Sequence, residues 1–400
     1  MKICMLIRKH SFLDVRVFQR QAKSLAALGH QVVVMAPRYN GQLLNINKKP
    51  VQAAGFGGSA FELDGVSFAS YPARQPNAYQ IANVQKTMLR VTQQRQPLYG
   101  FDGLLRRALF TDADVYHVHE PDLLFEAVQL KRLFQQLGKR VSIVYDAHEL
   151  EVDAPLMREL MLEADHLITV SDSIAAIYEK RHPSIPISII YNSPKGADRR
   201  SHAERDASRN PQRFTIAYEG MLTLDKGDPR RIQSIVNALT EAGVEVRFKI
   251  FGQLKMPASM AQKRMENWLR RDGRVSCQWV DYEQLHNQWR EVDIGYIYYD
   301  LRAPNRKFAL PNKFFSMMNN GIPIIVNGAR EMSDIVLSRE CGIVLEEGKD
   351  SAAQYAEQLL QLSGNRPLLE QMGANAVRAM NEKYGWERME AKLKEIYAKL

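Results

Sequence analysis

The stretch VYHVHEPDLL, residues 115–124, ends an apolar run with two histidines, a glutamate and a proline. Read as a strand, it places His117 and His119 on one face and Tyr116 and Val118 on the other. Imidazoles at that spacing can bind a metal, move protons, or sit in a core with their hydrogen bonds satisfied. Nothing nearby supplies third and fourth ligands, so no metal is expected. His117 lies deeper in the strand and reads as structural; His119 and Glu120 stand at its end. His148 and Glu149 end RVSIVYDAHE in the same manner.

A second chemistry is written in YEGMLTLDKGDPRRIQS, residues 218–234, which runs strand, Gly220, loop, Lys226-Gly227, then helix. Glycine admits close backbone approach, free amides at a helix start attract anions, and lysine adds a point charge suited to phosphate. Further on, ALPNKFFSMMNNGIPIIV (309–326) opens a helix with Pro311 and stops it at Gly321. Lys313 early in that helix opposes the helix dipole, a placement tolerable beside a bound anion. Met317 and Met318 read as core packing.

These residues need elements to hold them. Short β-branched runs recur, each followed by a helical pattern. They are KICMLI, QVVVMA, DVYHVH, RVSIVYD, DHLITV and ISIIYN, then FTIAYEG, EVRFKIFG, RVSCQWV, DIGYIYY, PIIVN and GIVLE. RVFQRQAKSLAALG between the first two reads as a helix stopped by Gly29. Strand–helix alternation seen twice predicts an α/β protein of two doubly wound parallel-sheet domains, with ligands outside the carboxyl ends of the strands. The division expected is a first domain over 1–192, a polar, charged linker over 193–213, a second domain over 214–380, and a closing segment over 381–400. WERMEAKLKEIYAKL in that segment carries Trp386, Met389, Leu393, Ile396, Tyr397 and Leu400 on one stripe, which must dock on something.

A chain of 400 residues suits two cores rather than one. Three cysteines, far apart, exclude a disulfide framework and a thiolate zinc site. The N-terminus does not read as a signal peptide, and no window approaches a membrane span, so a cytoplasmic location is expected. The net charge of +9 favours anionic partners. FDGLLRRALF (101–110) sets Phe101, Leu104, Leu105, Ala108 and Leu109 on one face and Arg106 and Arg107 elsewhere; VQKTMLRVTQQR upstream is also basic. Such helices either lie on an anionic membrane or pack on the sheet with a solvated basic side.

The order HVHEP, YDAHE, YEGxxxxxKG, WVDYEQLHNQWREVDIGYIYY, LPNKFFxMMNNGIPIIV and YGWERMEAKL resembles the GT-B glycosyltransferases, and more narrowly their retaining family 4, which builds bacterial polysaccharides and glycolipids. The resemblance covers nearly the whole chain. It implies two Rossmann-like domains facing across a cleft, the first binding the acceptor, the second the nucleotide sugar, with the C-terminal helix docking back on the first. Lys226 and Lys313 would hold the donor pyrophosphate with amides near Gly220 and Gly227, and Pro311, Asn312 and Ser316 would line the same pocket. Asp281 and Tyr282 would seat the base. His119 would act at the reacting sugar, with Asp14, Arg16, Glu120, His148 and Glu149 lining the acceptor side.

The implied reaction moves a sugar from a UDP- or GDP-sugar to a hydroxyl of a glycan or lipid-linked acceptor. It proceeds with retention, without metal or cofactor, in the cytoplasm or on the inner face of its membrane, and with no nucleic-acid partner. Two departures stand out. Family members carry glutamates where this chain has Phe308 and Ser316, and often an arginine where it has Met221. Arg230 and Arg231 are the candidate substitutes for that arginine. The alternatives are a non-catalytic sugar-nucleotide-binding relative and a sugar-nucleotide 2-epimerase.

Overall fold

The computed structural model describes residues 1–52, 54–73, 78–95, 103–196, 210–346, 348 and 350–400; the side chains of 54, 78–83, 282, 283 and 304 are set aside. Phe101 and most of the expected linker (197–209) therefore lie outside the described residues. The chain divides into two compact units. One comprises Met1–Ile190 with Glu390–Leu400, the other Tyr191–Met389.

The first unit is built on β1 (Lys2–Leu6), β2 (Gln31–Tyr39), β3 (Gln42–Leu43), β4 (Ala60–Leu63), β5 (Val66–Pro72), β6 (Val115–Val118), β7 (Ser142–Ala147), β8 (His166–Thr169) and β9 (Ile187–Ile189). Their order is β4-β5-β2-β1-β6-β7-β8-β9, with β3 beside β2. All pairings are parallel except β2 with β3 and β4 with β5. β1, β6 and β7 are buried along almost their whole length, as continuous apolar runs require in a sheet covered on both faces. The strand order reverses between β1 and β6, and open sheets of this kind bind ligands at such a point.

β3, β4 and β5 are absent from the sequence reading. The β4–β5 hairpin turns on Asp64-Gly65, both at positive φ (50° and 75°), which is the twist that two-residue hairpins favour. The helix after β1 is also unlike a plain α-helix: Val15–Ala22 is wound as a π-helix before Lys23–Ala27 continues as α. π segments of this kind recur at functional sites. The helix Gly103–Thr111 packs Leu104, Leu105 and Ala108 on β1, β2 and β5, so its apolar face is covered by the sheet.

The second unit carries β10 (Phe214–Glu219), β11 (Val246–Phe251), β12 (Val275–Gln278), β13 (Ile294–Ile297), β14 (Ile324–Asn327) and β15 (Gly342–Leu345), all parallel, in the order β12-β11-β10-β13-β14-β15. Here the order reverses between β10 and β13. The helix Asn312–Asn319 lies against Gly295 of β13, where a Cβ would fall 2.4 Å from Met317 Sδ, so glycine sets the close approach. Met317 and Met318 are fully buried. The stripe Trp386, Met389, Leu393, Ile396 and Tyr397 is buried too, and the boundary between the units falls inside its helix, Trp386–Tyr397. All three cysteines are unpaired. Among the described residues no helix is long and apolar enough to cross a membrane.

Candidate active site

At the reversal point of the first sheet the loop after β1 meets the ends of β6 and β7. Asp146, fully buried, is the hub. Arg16 grips it through Nε at 2.8 Å and Nη2 at 2.6 Å, and Gln21 Nε2 donates to it at 2.8 Å. Arg16 Nη1 also donates to the Ile190 carbonyl at 2.8 Å. His119 Nδ1 stands 3.4 Å and His148 Nε2 3.5 Å from the same carboxylate, and the two imidazoles are 3.3 Å apart. The buried Arg16 guanidinium, with both histidines, holds Asp146 well below the usual carboxylate range despite its burial.

Burial acts the other way on the histidines. His119 is pushed down to about 4, although Asp146 pulls it up; His117 and His148 are lowered for the same reason. These rings are neutral at pH 7. The rings of His117 and His119 stack at 4.3 Å, as the shared strand face predicts. Donor atoms of His117, His119 and Asp146 all lie within 4.8 Å of one another, a spacing a metal ion accepts. The Arg16 guanidinium already saturates that carboxylate and opposes a cation, so the set fits a hydrogen-bond cluster better than a metal centre.

Several acceptor-side expectations are corrected. Arg16 is only 5% exposed and is committed to Asp146 and Ile190, so it lines no wall. Glu120 is a tether: its Oε1 accepts from the amides of Arg8, Lys9 and His10 at 3.0, 2.5 and 3.0 Å, pinning the loop after β1. Asp14 caps the following helix through the amides of Arg16 and Val17, while its second oxygen lies 3.3 Å from His10 Nδ1. That contact raises His10 against the opposing effect of its burial. His148 remains half-buried, and its ring lies 4.8 Å from that of His10. Glu149 is exposed. Asp146, Gln21 and His10 are the members that sequence reasoning missed, although Asp146 sits inside YDAHE.

In the second unit the structure brings Gly220, Lys226, Lys313 and Ser316 together at the reversal point. Gly252 makes this possible: a Cβ there would lie 1.9 Å from the Gly220 carbonyl oxygen. Gly227 is equally constrained, at φ 77° with a Cβ position 2.6 Å from Leu222 Cδ1 and 2.8 Å from Tyr218 Cε2. Lys313 is buried with its ammonium 3.9 Å over the Tyr218 ring and 5.9 Å from that of Tyr299. Burial lowers its proton affinity, Glu219 restores part of it, and the nearby charges of Lys226 and Arg306 lower it again. Arg306 reaches in from the helix Pro304–Lys307, paired with Asp225 at 3.0 Å.

The expected amide cradle is corrected. The amides of Gly220, Leu222 and Gly227 donate to the carbonyls of Phe251, Gln253 and Tyr298, each at 2.9 Å. The helix Pro229–Glu241 is capped by Asp228, whose carboxylate occupies the place an anion would take. Side-chain cations therefore carry the anion chemistry. Arg230 pairs with Asp228 at 3.2 Å, and Arg231 stacks at 3.9 Å on Tyr298 and donates to the Asp350 carbonyl, so neither replaces the family arginine at Met221. Pro311 is the N-cap of Asn312–Asn319 rather than its first residue. Asp281 is exposed at the N-cap of Tyr282–Gln288, and the Tyr282 side chain lies outside the described residues.

Two open parallel sheets, with a histidine–carboxylate cluster at one reversal point and converging lysines at the other, are the arrangement of the GT-B fold. Residues 15–193 match the model of Glycosyltransferase Family 4, which supports the resemblance read from the motifs. Solved structures agree in fold along the full chain. Sucrose-phosphate synthase from Thermosynechococcus elongatus aligns over 100% of this chain and 98% of its own, with 13% identity and a TM-score of 0.68. The UDP-forming α,α-trehalose-phosphate synthase from Burkholderia vietnamiensis covers 100% of both chains at 13% identity and 0.65. HepE from Anabaena, solved with UDP-glucose, covers 100% of both at 11% and 0.67. No curated protein sequence is similar enough to match.

Proposed function

We propose that the protein transfers a sugar from a UDP-sugar, or less favourably a GDP-sugar, to a hydroxyl of a glycan or lipid-linked acceptor. The observation that carries this reading is the gathering of Lys226 and Arg306 near Lys313, whose ammonium lies against Gly220. Lys313 is buried, Lys226 and Arg306 beside it are part-exposed, and a diphosphate relieves the repulsion among these like charges. As the glycosidic bond to the diphosphate breaks, negative charge collects on the leaving group. Lys226 and Lys313 stabilise it there without further rearrangement. UDP as the nucleotide finds support in HepE, solved with UDP-glucose.

His119, neutral and oriented by Asp146, holds or deprotonates a hydroxyl near the reacting carbon. Retention without a metal follows from the resemblance, as does a place in cell-surface polysaccharide synthesis. A cytoplasmic protein touching an anionic membrane fits the exposed Arg106, Arg107 and Phe110 and the basic helix Ala78–Gln93. Failure to bind anionic liposomes at low salt would remove that part.

Thermal unfolding with UDP, GDP, ADP, CMP and dTDP, free and as sugar conjugates, tests the donor. A ligand specific to the native state raises the melting point, by about 2.7 kcal/mol of stabilisation at a hundredfold excess over Kd. No shift with any of them sinks the proposal.

A further inference from the structure

Glu219 is the last residue of β10 and lies beside Lys313 and Ser316, yet no role is assigned to it by the resemblance or by the phosphate chemistry. Its Oε2 is buried without a partner among the described residues. Lys313 and Ser316 lie three residues apart on one helix face, and both act on this carboxyl, Lys313 by its charge and Ser316 through a hydrogen bond. Burial nevertheless raises its proton affinity above the ordinary glutamate range.

With Glu219 ionised, a diphosphate docking on Lys313 cannot satisfy the orphaned oxygen, since two anions repel. The missing partner must be a neutral O–H or N–H donor that arrives with the anion. Adjacent hydroxyls of a ribose or a hexose supply this chemistry, because a carboxylate accepts from two such groups at once. We infer that Glu219, with Ser316 beside it, recognises hydroxyl groups of the nucleotide-sugar donor and sets donor specificity. This rests on the donor reading proposed above. The acceptor oxygen then comes from the end of a strand, while the helix position facing it carries only the small hydroxyl of Ser316.

Calorimetric titration of the full-length protein tests the inference. The probes are UDP against 2′-deoxy-UDP, GDP against 2′-deoxy-GDP, and UDP-glucose against UDP, applied to wild type, Glu219→Ala, the isosteric Glu219→Gln, and Ser316→Ala. A hydrogen bond to a buried carboxylate supports a preference of roughly tenfold or more for the hydroxylated ligand. That preference should collapse in both Glu219 variants and shrink in Ser316→Ala, while affinity for the deoxy ligand holds or rises because a negative charge is gone. Collapse of the deoxy comparison assigns the ribose, and collapse of the UDP-glucose gain assigns the sugar. Equal ratios in wild type and variants, with nucleotide still bound, overturn this inference alone. Absence of any binding by wild type overturns it together with the donor reading.

Discussion

The Tyr397 hydroxyl lies 2.7 Å from Nδ1 of His117, hydrogen bonded across a fully buried contact. His117 stacks in turn on His119, so a residue near the C-terminus fixes the ring beneath the proposed catalytic imidazole. Tyr397→Phe should lower kcat several-fold with little change in donor KM. It should also cost about 1–3 kcal/mol in urea unfolding, since a buried ring nitrogen loses its partner. Full kcat with only the stability loss would make Tyr397 a structural anchor.

Lys226→Ala and Lys313→Ala should each depress turnover by roughly a hundredfold, comparable to deleting one preorganised donor of transition-state charge. Steady-state transfer from the donor found by thermal shift measures this. Near-normal rates in both variants would refute the leaving-group role.

The Arg16–Asp146 pair spans a long stretch of chain and is almost inaccessible, with side-chain exposures of 5% and 0%. Removing one partner strands the other charge inside the protein. Arg16→Met should destabilise by about 3–5 kcal/mol, whereas breaking a solvent-exposed pair such as Arg158–Asp153 should change stability far less, since water screens it. Equal, small losses in the two unfolding experiments would mean that water reaches Asp146.

Stability should fall as pH drops from neutrality. His119 titrates near 4 in the fold against 6.5 ordinarily, so between these values the unfolded chain binds more protons. Each such histidine then contributes a slope of up to about 1.4 kcal/mol per pH unit, present above 6.5 and lost toward 4. His117 and His148 shift in the same direction. His10, raised by Asp14, opposes them: its contribution is present at low pH and fades as pH rises through its folded value. Unfolding free energies from urea titrations at pH 7 and pH 5 should differ by roughly 2 kcal/mol or more, and His119→Gln should flatten the slope. An unchanged slope in that variant would show that His119 is not the neutral buried ring described.

Twelve strands were legible because parallel strands covered on both faces leave continuous apolar runs. β4 and β5 alternate more weakly, and their Asp64-Gly65 turn was the local signal that could have revealed them. Lys226, Gly220 and Lys313 meet because their motifs follow the strands flanking a reversal in strand order. The roles of Arg16 and Glu120 were not legible, since each is decided by residues more than a hundred positions away. Glu219 lies within YEG but carries no signal of its own in the sequence, because only the fold reveals that one of its oxygens has no donor among the described residues.

Residues 390–400 complete the first unit although they are translated after the whole of the second. On a ribosome, the 1–190 portion emerges with the seat of Tyr397 empty, and His117 meets its partner only after the second unit has been made. A gene fragment ending at the inter-unit boundary would therefore yield an open wound in the first lobe rather than an autonomous half-enzyme.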